Sequence, residues 1–168
     1  MQITLEELQK GVICPYCGQD CVLRRETIDS TKAYCMISLW NVARHGGWTH
    51  VSDIPLWWEN GKQKTANNYG GSFAALRYWG LIEEQYNLDT KKRCAGMWRI
   101  TPLGCDFVLN KVKVPKYWRI FDMVQFYAEG DHIGIKSALG EKFDYSEIKE
   151  EFYSSNDEYY DDRQQPLF

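Results

Sequence analysis

Residues 73–85, FAALRYWGLIEEQ, and residues 97–109, MWRITPLGCDFVL, decide the fold. In the first piece Phe73 and Leu76 continue a helical stripe begun at Tyr69, and Gly80 ends the helix. LIEEQ then reads as a strand, YNLDTKKRCAG (86–96) as a polar, turn-rich tip, and MWRIT as the returning strand. Thr101-Pro102 restarts a helix. The threonine hydroxyl can cap it, and proline suits a first helical position whose N–H has no partner anyway. That helix, PLGCDFVLNKV, stops before Pro115.

Upstream, Ser30 caps the helix TKAYCMISLWNVARH, and Gly46-Gly47 end it. Ala33, Met36, Ile37 and Trp40 share one face, and Cys35, Leu39 and Val42 fill the adjoining one. Only Tyr34, Ser38, Asn41 and His45 form a polar wedge, so this helix is covered from more than one side and is the central one. WTHVS (48–52) alternates like a short strand. Asp53 caps a short helix, IPLWWEN, and GKQKT is a polar connector. ANNYGGSFAALRYWG is the next helix, in which Gly70 and Gly71 cost roughly 1 kcal/mol each. They favour a helix start near Gly71 over a close backbone approach to a phosphate. Trp57 and Trp58 read as half-buried packing, though one exposed ring suits a protein partner.

From residue 30 to 112 the order is helix, strand, helix, helix, strand, tip, strand, helix. From about Gly47 to Leu109 the chain resembles the second half of winged-helix regulators of the MarR and PadR kind. The resemblance is carried by Leu76, by Gly80-Leu81-Ile82 opening the wing, and by Thr101 with Gly104. The whole chain, with CPYCGQ in front and VPKYW…ALGEKFDYSEI behind, also resembles small proteins encoded by bacteriophages. These resemblances imply DNA binding, a role in phage gene regulation and a bacterial cytoplasm. They make residues 66–79 the recognition helix, with Asn67, Asn68 and Ser72 able to meet base edges. Lys62, Lys64, Lys91, Lys92 and Arg93 would flank it toward phosphates.

Charge is distributed to match. The net charge is -3, yet residues 30–120 carry 13 basic and 6 acidic groups, while residues 121–168 carry 4 basic and 12 acidic. A basic middle beside an acidic tail suggests an anionic partner for the middle, or an ordinary surface with a solubilising tail. With a mean hydropathy of -0.51 and no long apolar run, no membrane span is expected. MQITLEELQK shows no secretory signal pattern, so a reducing, cytoplasmic setting is expected.

The six cysteines then read as thiols or metal ligands. Cys14-Pro-Tyr-Cys17-Gly has the spacing of a zinc knuckle, two thiolates reaching one metal on one face. Cys21 is the nearest third ligand for a structural zinc ion, and Cys35, His45, His50, Cys94 and Cys105 are other candidates. Cys35 and Cys105 fit a core better.

Residues 3–9 form a short helix or arm, and VLRRE (22–26) a strand. YWRIFDMVQFYAEG offers two strands around Phe121-Asp122-Met123, and residues 131–152 offer two short helices. The closing Gln164-Gln165-Pro166-Leu167-Phe168 resembles the peptide by which bacterial replication proteins dock on the sliding clamp, with Gln164, Leu167 and Phe168 as the contacts. This favours a second possibility: a protein-interaction module that redirects a host clamp or polymerase. His45, His50 and His132 are scattered, and no nucleophile elbow, P-loop or zinc-protease motif is present, so no catalysis is expected.

The expected fold is α+β: a winged helix-turn-helix with an N-terminal zinc-knuckle-like arm and a C-terminal β-hairpin plus short helices. Its segments are 1–28 (arm), 29–112 (winged helix), 113–152 (hairpin and helices) and 153–168 (acidic tail).

Overall fold

Thr4 starts the first helix, α1 (Leu5–Lys10), with a capping box. Its hydroxyl accepts from Glu7 N at 3.3 Å, and the Glu7 carboxylate accepts from Thr4 N at 2.8 Å. That backbone N–H holds the Glu7 carboxyl below its ordinary value. Two short strands, β1 (Val12–Ile13) and β2 (Asp20–Cys21), pair antiparallel and close the loop that carries Cys14 and Cys17. The computed structural model describes residues 3–89, 91 and 95–150, the side chain of Glu150 excepted. Lys92, Arg93, Cys94 and the contacts read at Gln164, Leu167 and Phe168 lie outside the described residues.

Strand β3 (Arg24–Thr27) leads into α2 (Ser30–Ala43). The cap of α2 is Asp29, not Ser30. Asp29 has an extended backbone, its carboxylate accepts from Lys32 N at 2.9 Å, and Ser30 is already the first helical residue. Most of the broad apolar arc is buried, with Ala33, Cys35, Met36, Ile37 and Leu39 fully inaccessible, but Val42 at its end is exposed. Of the polar wedge, Ser38 is buried, Tyr34 and Asn41 are half-buried with Asn41 donating to the carbonyl of Ile148 at 3.0 Å, and His45 is exposed. Lys32 is also buried, facing Glu26 at 3.3 Å and Asp29 at 3.6 Å, so its charge is balanced by two carboxylates.

After α2 come β4 (Thr49–His50), shorter than WTHVS suggested, and a 3-10 turn at Val51–Asp53. The expected helix IPLWWEN is instead β5 (Pro55–Glu59), and the expected connector is β6 (Lys62–Thr65). They form a hairpin closed by Asn60 and Gly61, both at positive φ (52° and 71°), with Glu59 directly opposite Lys62. Both central residues at positive φ is the turn that matches strand twist, and Asn-Gly is the pair that adopts it most readily.

The next α-helix starts at Gly70, close to the expected Gly71. A 3-10 turn at Ala66–Tyr69 leads into α3 (Gly70–Ala75), and another at Leu76–Trp79 ends at Gly80, φ 68°. Strands β7 (Ile82–Glu84) and β8 (Met97–Ile100) follow. β8 lies between β4 and β7 in one antiparallel sheet. Thr101 caps α4 (Pro102–Val108), accepting from Gly104 N at 3.0 Å and donating to the Gly80 carbonyl at 2.6 Å.

A long hairpin, β9 (Val114–Phe121) and β10 (Val124–Ile133), turns at Asp122 and Met123. β9 sits between β10 and β3, so residues 24–27 share a sheet with residues 114–133. Finally α5 (Ile135–Leu139) and α6 (Tyr145–Glu150) pack on α2. One core runs from Ile28 to Ile148, and a smaller one joins Leu8, Cys21 and Leu23 to Phe121 and Tyr127. The fold is mixed α and β. Among the described residues no helix is long and apolar enough to cross a membrane.

Candidate nucleic-acid interface

The helical run 66–79 buries Ala66, Phe73 and Leu76 and exposes Asn67 and Asn68 near its start. Asn67 is exposed there. Asn68 is exposed too, but its Oδ1 accepts from Thr65 N at 2.8 Å, so half of that amide holds the start of the run. Ser72 is only half-buried. A Cβ added at Gly70 or Gly71 would meet nothing within 4 Å, so both present bare backbone to open space. Together with Ala74 they line a groove of about 480 Å³ that Glu26, Glu84, Trp98 and Met123 also line.

The antiparallel pair β7–β8, here called the flap, follows that run, with Ile82, Trp98 and Ile100 buried. Its base is tied to the helical elements at three points. Thr101 bonds the Gly80 carbonyl, Thr101 N donates to Leu81 O at 3.1 Å, and a Cβ on Gly104 would sit 2.1 Å from that same oxygen. Gly104 is therefore required by close approach, not by an unusual φ. Across the flap Arg99 pairs with Glu83, and Arg77 reaches Glu84 at 3.7 Å. Both arginines lie beside carboxylates. Toward the tip Asn87 Oδ1 accepts from Asp89 N, and Asp89 Oδ1 from Lys91 N, each at 3.0 Å.

The cations expected to flank the run divide. Lys62 and Lys91 are exposed, whereas Lys64 closes on Glu59 at 3.0 Å. Lys113 is exposed as well. Trp57 and Trp58 part company: Trp57 is half-buried among Tyr34, Tyr69 and Phe143, while Trp58 is 68% exposed. The sequence reading missed this hairpin and the buried Lys32. Asn60-Gly61 was the available sign of the first, and nothing in the local pattern marked the second.

In the cysteine loop, Cys14 N donates to Gln19 O at 2.8 Å and Gly18 N to Cys14 O at 2.9 Å, closing the turn. Amides of Cys17 and Tyr16 point at the Cys14 sulfur and lower its pKa, as does the Cys17 thiol. Burial and the neighbouring Cys14 raise that of Cys21. Amides converging on a sulfur suit a thiolate. Even so, among the described residues no group of three or more Cys, His, Asp or Glu is placed to hold a metal ion. Cys35 and Cys105 are core residues, and burial pushes Cys35 up to about 12.

Compared with known proteins, the chain matches no family model, no curated protein and no solved structure.

Proposed function

We propose that this chain is a winged-helix DNA-binding protein that lays residues 66–72 along a duplex and rests the flap tip beside it. The observation that supports the reading is the three-stranded sheet, in the order β4-β8-β7, that follows the helical run, with β7 against its last turn and Trp98 of β8 against Phe73. Helix, flanking sheet and flap are the parts such a protein uses. Bare backbone at Gly70 and Gly71 lets a phosphate approach amides closely, and Asn67 is free of the capping role that occupies Asn68. The β5–β6 hairpin takes the place of the usual second helix, and Lys62 is its exposed cation.

Ion pairing lowers the expected charge contribution, because Lys64, Arg77 and Arg99 face carboxylates. Affinity therefore rests on Lys62, Lys91 and the tip residues Lys92 and Arg93. Four phosphate contacts give a log–log salt slope of roughly -3.6. Duplex binding by the full chain across a salt series tests this. Replacing Lys91, Lys92 and Arg93 by Ala should weaken binding and flatten the slope by about 3. Salt-independent binding, or none at low salt, contradicts the proposal. A structural zinc ion on Cys14, Cys17 and Cys21 belongs to the same reading. It predicts bound zinc in purified protein that Cys14→Ser removes, and protein with no bound metal would refute it.

A further inference from the structure

A second cleft, of about 270 Å³, lies between α2 and the β5–β6 hairpin, and Ile148 of α6 lines it. Trp57 and Trp58 line it from the hairpin. Trp57 is packed by Tyr34, Tyr69 and Phe143 at centroid distances of 5.1, 4.9 and 5.2 Å, whereas Trp58 is largely exposed.

The position of α6 says what comes next to this cleft. The helix packs on α2, and its Ile148 carbonyl is fixed there by the 3.0 Å bond from Asn41. Glu150, the last described residue, follows two positions after Ile148. Tyr145 packs on the core and Ile148 is buried, so the two mark the inner face of α6. In the sequence the next apolar residue on that spacing is Phe152, completing an i, i+3, i+7 stripe. One further turn of helix puts it about 6 Å along the axis from Ile148. Residues 151–168 lie outside the described residues, and their sequence adds Asp157, Glu158, Asp161 and Asp162 behind Phe152. On the hairpin, exposed Lys62 is the neighbour of Gln63, which lines the cleft. Five residues from Phe152 to Asp157 reach up to about 17 Å.

We propose that the cleft is the docking site of this chain's own continuation: Phe152 enters it against Ile148 and the tryptophans, and the acidic run behind it lies over Lys62. A free peptide or a second copy also carries aromatic rings, but this segment alone is delivered to the cleft by α6, at the high effective concentration of a short tether. Its four carboxylates complement the lysine. Docking stands apart from the nucleic-acid reading, whereas its consequence rests on that reading: the docked tail competes with a duplex for Lys62.

The test uses the full chain labelled with fluorotryptophan and read by fluorine NMR, the Trp58 resonance being the one lost in Trp58→Phe. Phe152→Ala should move that resonance toward its position in the urea-unfolded chain, and Phe152→Leu should move it less. Tyr153→Ala, one register step away, should leave it in place. An unmoved resonance in Phe152→Ala overturns the docking. A larger shift in Tyr153→Ala overturns it too, as does a resonance position that depends on protein concentration, the mark of a second copy. Duplex affinity reads the consequence. Phe152→Ala leaves the charge unchanged and should bind about tenfold tighter than wild type. That gain should vanish where Asp157, Glu158, Asp161 and Asp162 are all replaced by their amides. Equal duplex affinity for Phe152→Ala and wild type overturns the competition for Lys62. No duplex binding by any variant overturns the winged-helix reading instead, and the Trp58 resonance still decides the docking.

Discussion

Gly104→Ala is the sharpest test of how the flap is held. A Cβ at Gly104 would lie 2.1 Å from the Leu81 carbonyl oxygen and 2.8 Å from Ile100 Cγ1. Ordinary contact is about 3.5 Å, so α4 must retreat by roughly 1 Å from the base of the flap. Backbone, not a pliable side chain, is in the way. Overpacking of this kind costs about 1–3 kcal/mol. The retreat also strains two bonds at the same point, Thr101 Oγ1 to Gly80 O at 2.6 Å and Thr101 N to Leu81 O at 3.1 Å. Each is worth about 1 kcal/mol. The expected total is about 2–4 kcal/mol, or a urea midpoint lower by roughly 1–2 M for a slope of about 2 kcal/mol/M. Gly71→Ala is the matched control. It adds the same methyl group inside a helix with no atom within 4 Å, and should stabilise by about 0.4–1 kcal/mol. Equal midpoints for Gly104→Ala and wild type would refute the close packing of α4 on the flap.

Three further outcomes are expected. Tyr145→Phe removes the 2.7 Å bond from its hydroxyl to the Val108 carbonyl and should cost about 1 kcal/mol by denaturant titration. A neutral result would mean that the bond does not help hold α6. Asn68→Ala removes the side chain that accepts from Thr65 N and should cost about 1 kcal/mol, whereas Asn67→Ala should leave stability within about 0.5 kcal/mol. Cys35 supplies a pH dependence. Its thiol is neutral up to about 12 when folded, against an ordinary 9.0 unfolded. Between those values the unfolded chain has released a proton that the folded chain keeps, so stability falls as pH rises through the window, by about 1.4 kcal/mol per unit. Cys35→Ala should flatten that part of the curve, and an unchanged slope would show that Cys35 is not the source.

Where local chemistry and burial pattern agreed, the sequence was readable. Thr101-Pro102 capped a helix because hydroxyl and ring each suit one position only. The apolar arc of α2 announced a central helix because nothing else accommodates it. The two strands expected around Phe121-Asp122-Met123 are formed and turn at Asp122 and Met123. The misreading at residues 54–65 has a physical cause. PLWWE carries no clear period, and a proline in the first turn fits a helix as well as a strand start. The hairpin is decided by its turn, Asn60-Gly61, whose positive φ values cost those two residues little. Gly70 and Gly71 pointed to a helix start near Gly71, and α3 begins at Gly70, with Phe73 and Leu76 packed into the core. The candidate site was legible only as a list of residue types. That Lys64 meets Glu59, that Asn68 closes its own helix start, and that Asn41 leaves an oxygen unmatched are facts of three-dimensional approach that no spacing encodes.

Hydrogen exchange of the full chain with and without duplex DNA tests the central claim most directly. The account predicts slowed exchange confined to residues 62–72 and the flap tip, 85–96, with α1 and the β9–β10 hairpin unchanged. Protection centred on β10 or the N-terminal loop, or no change at saturating DNA, would contradict it.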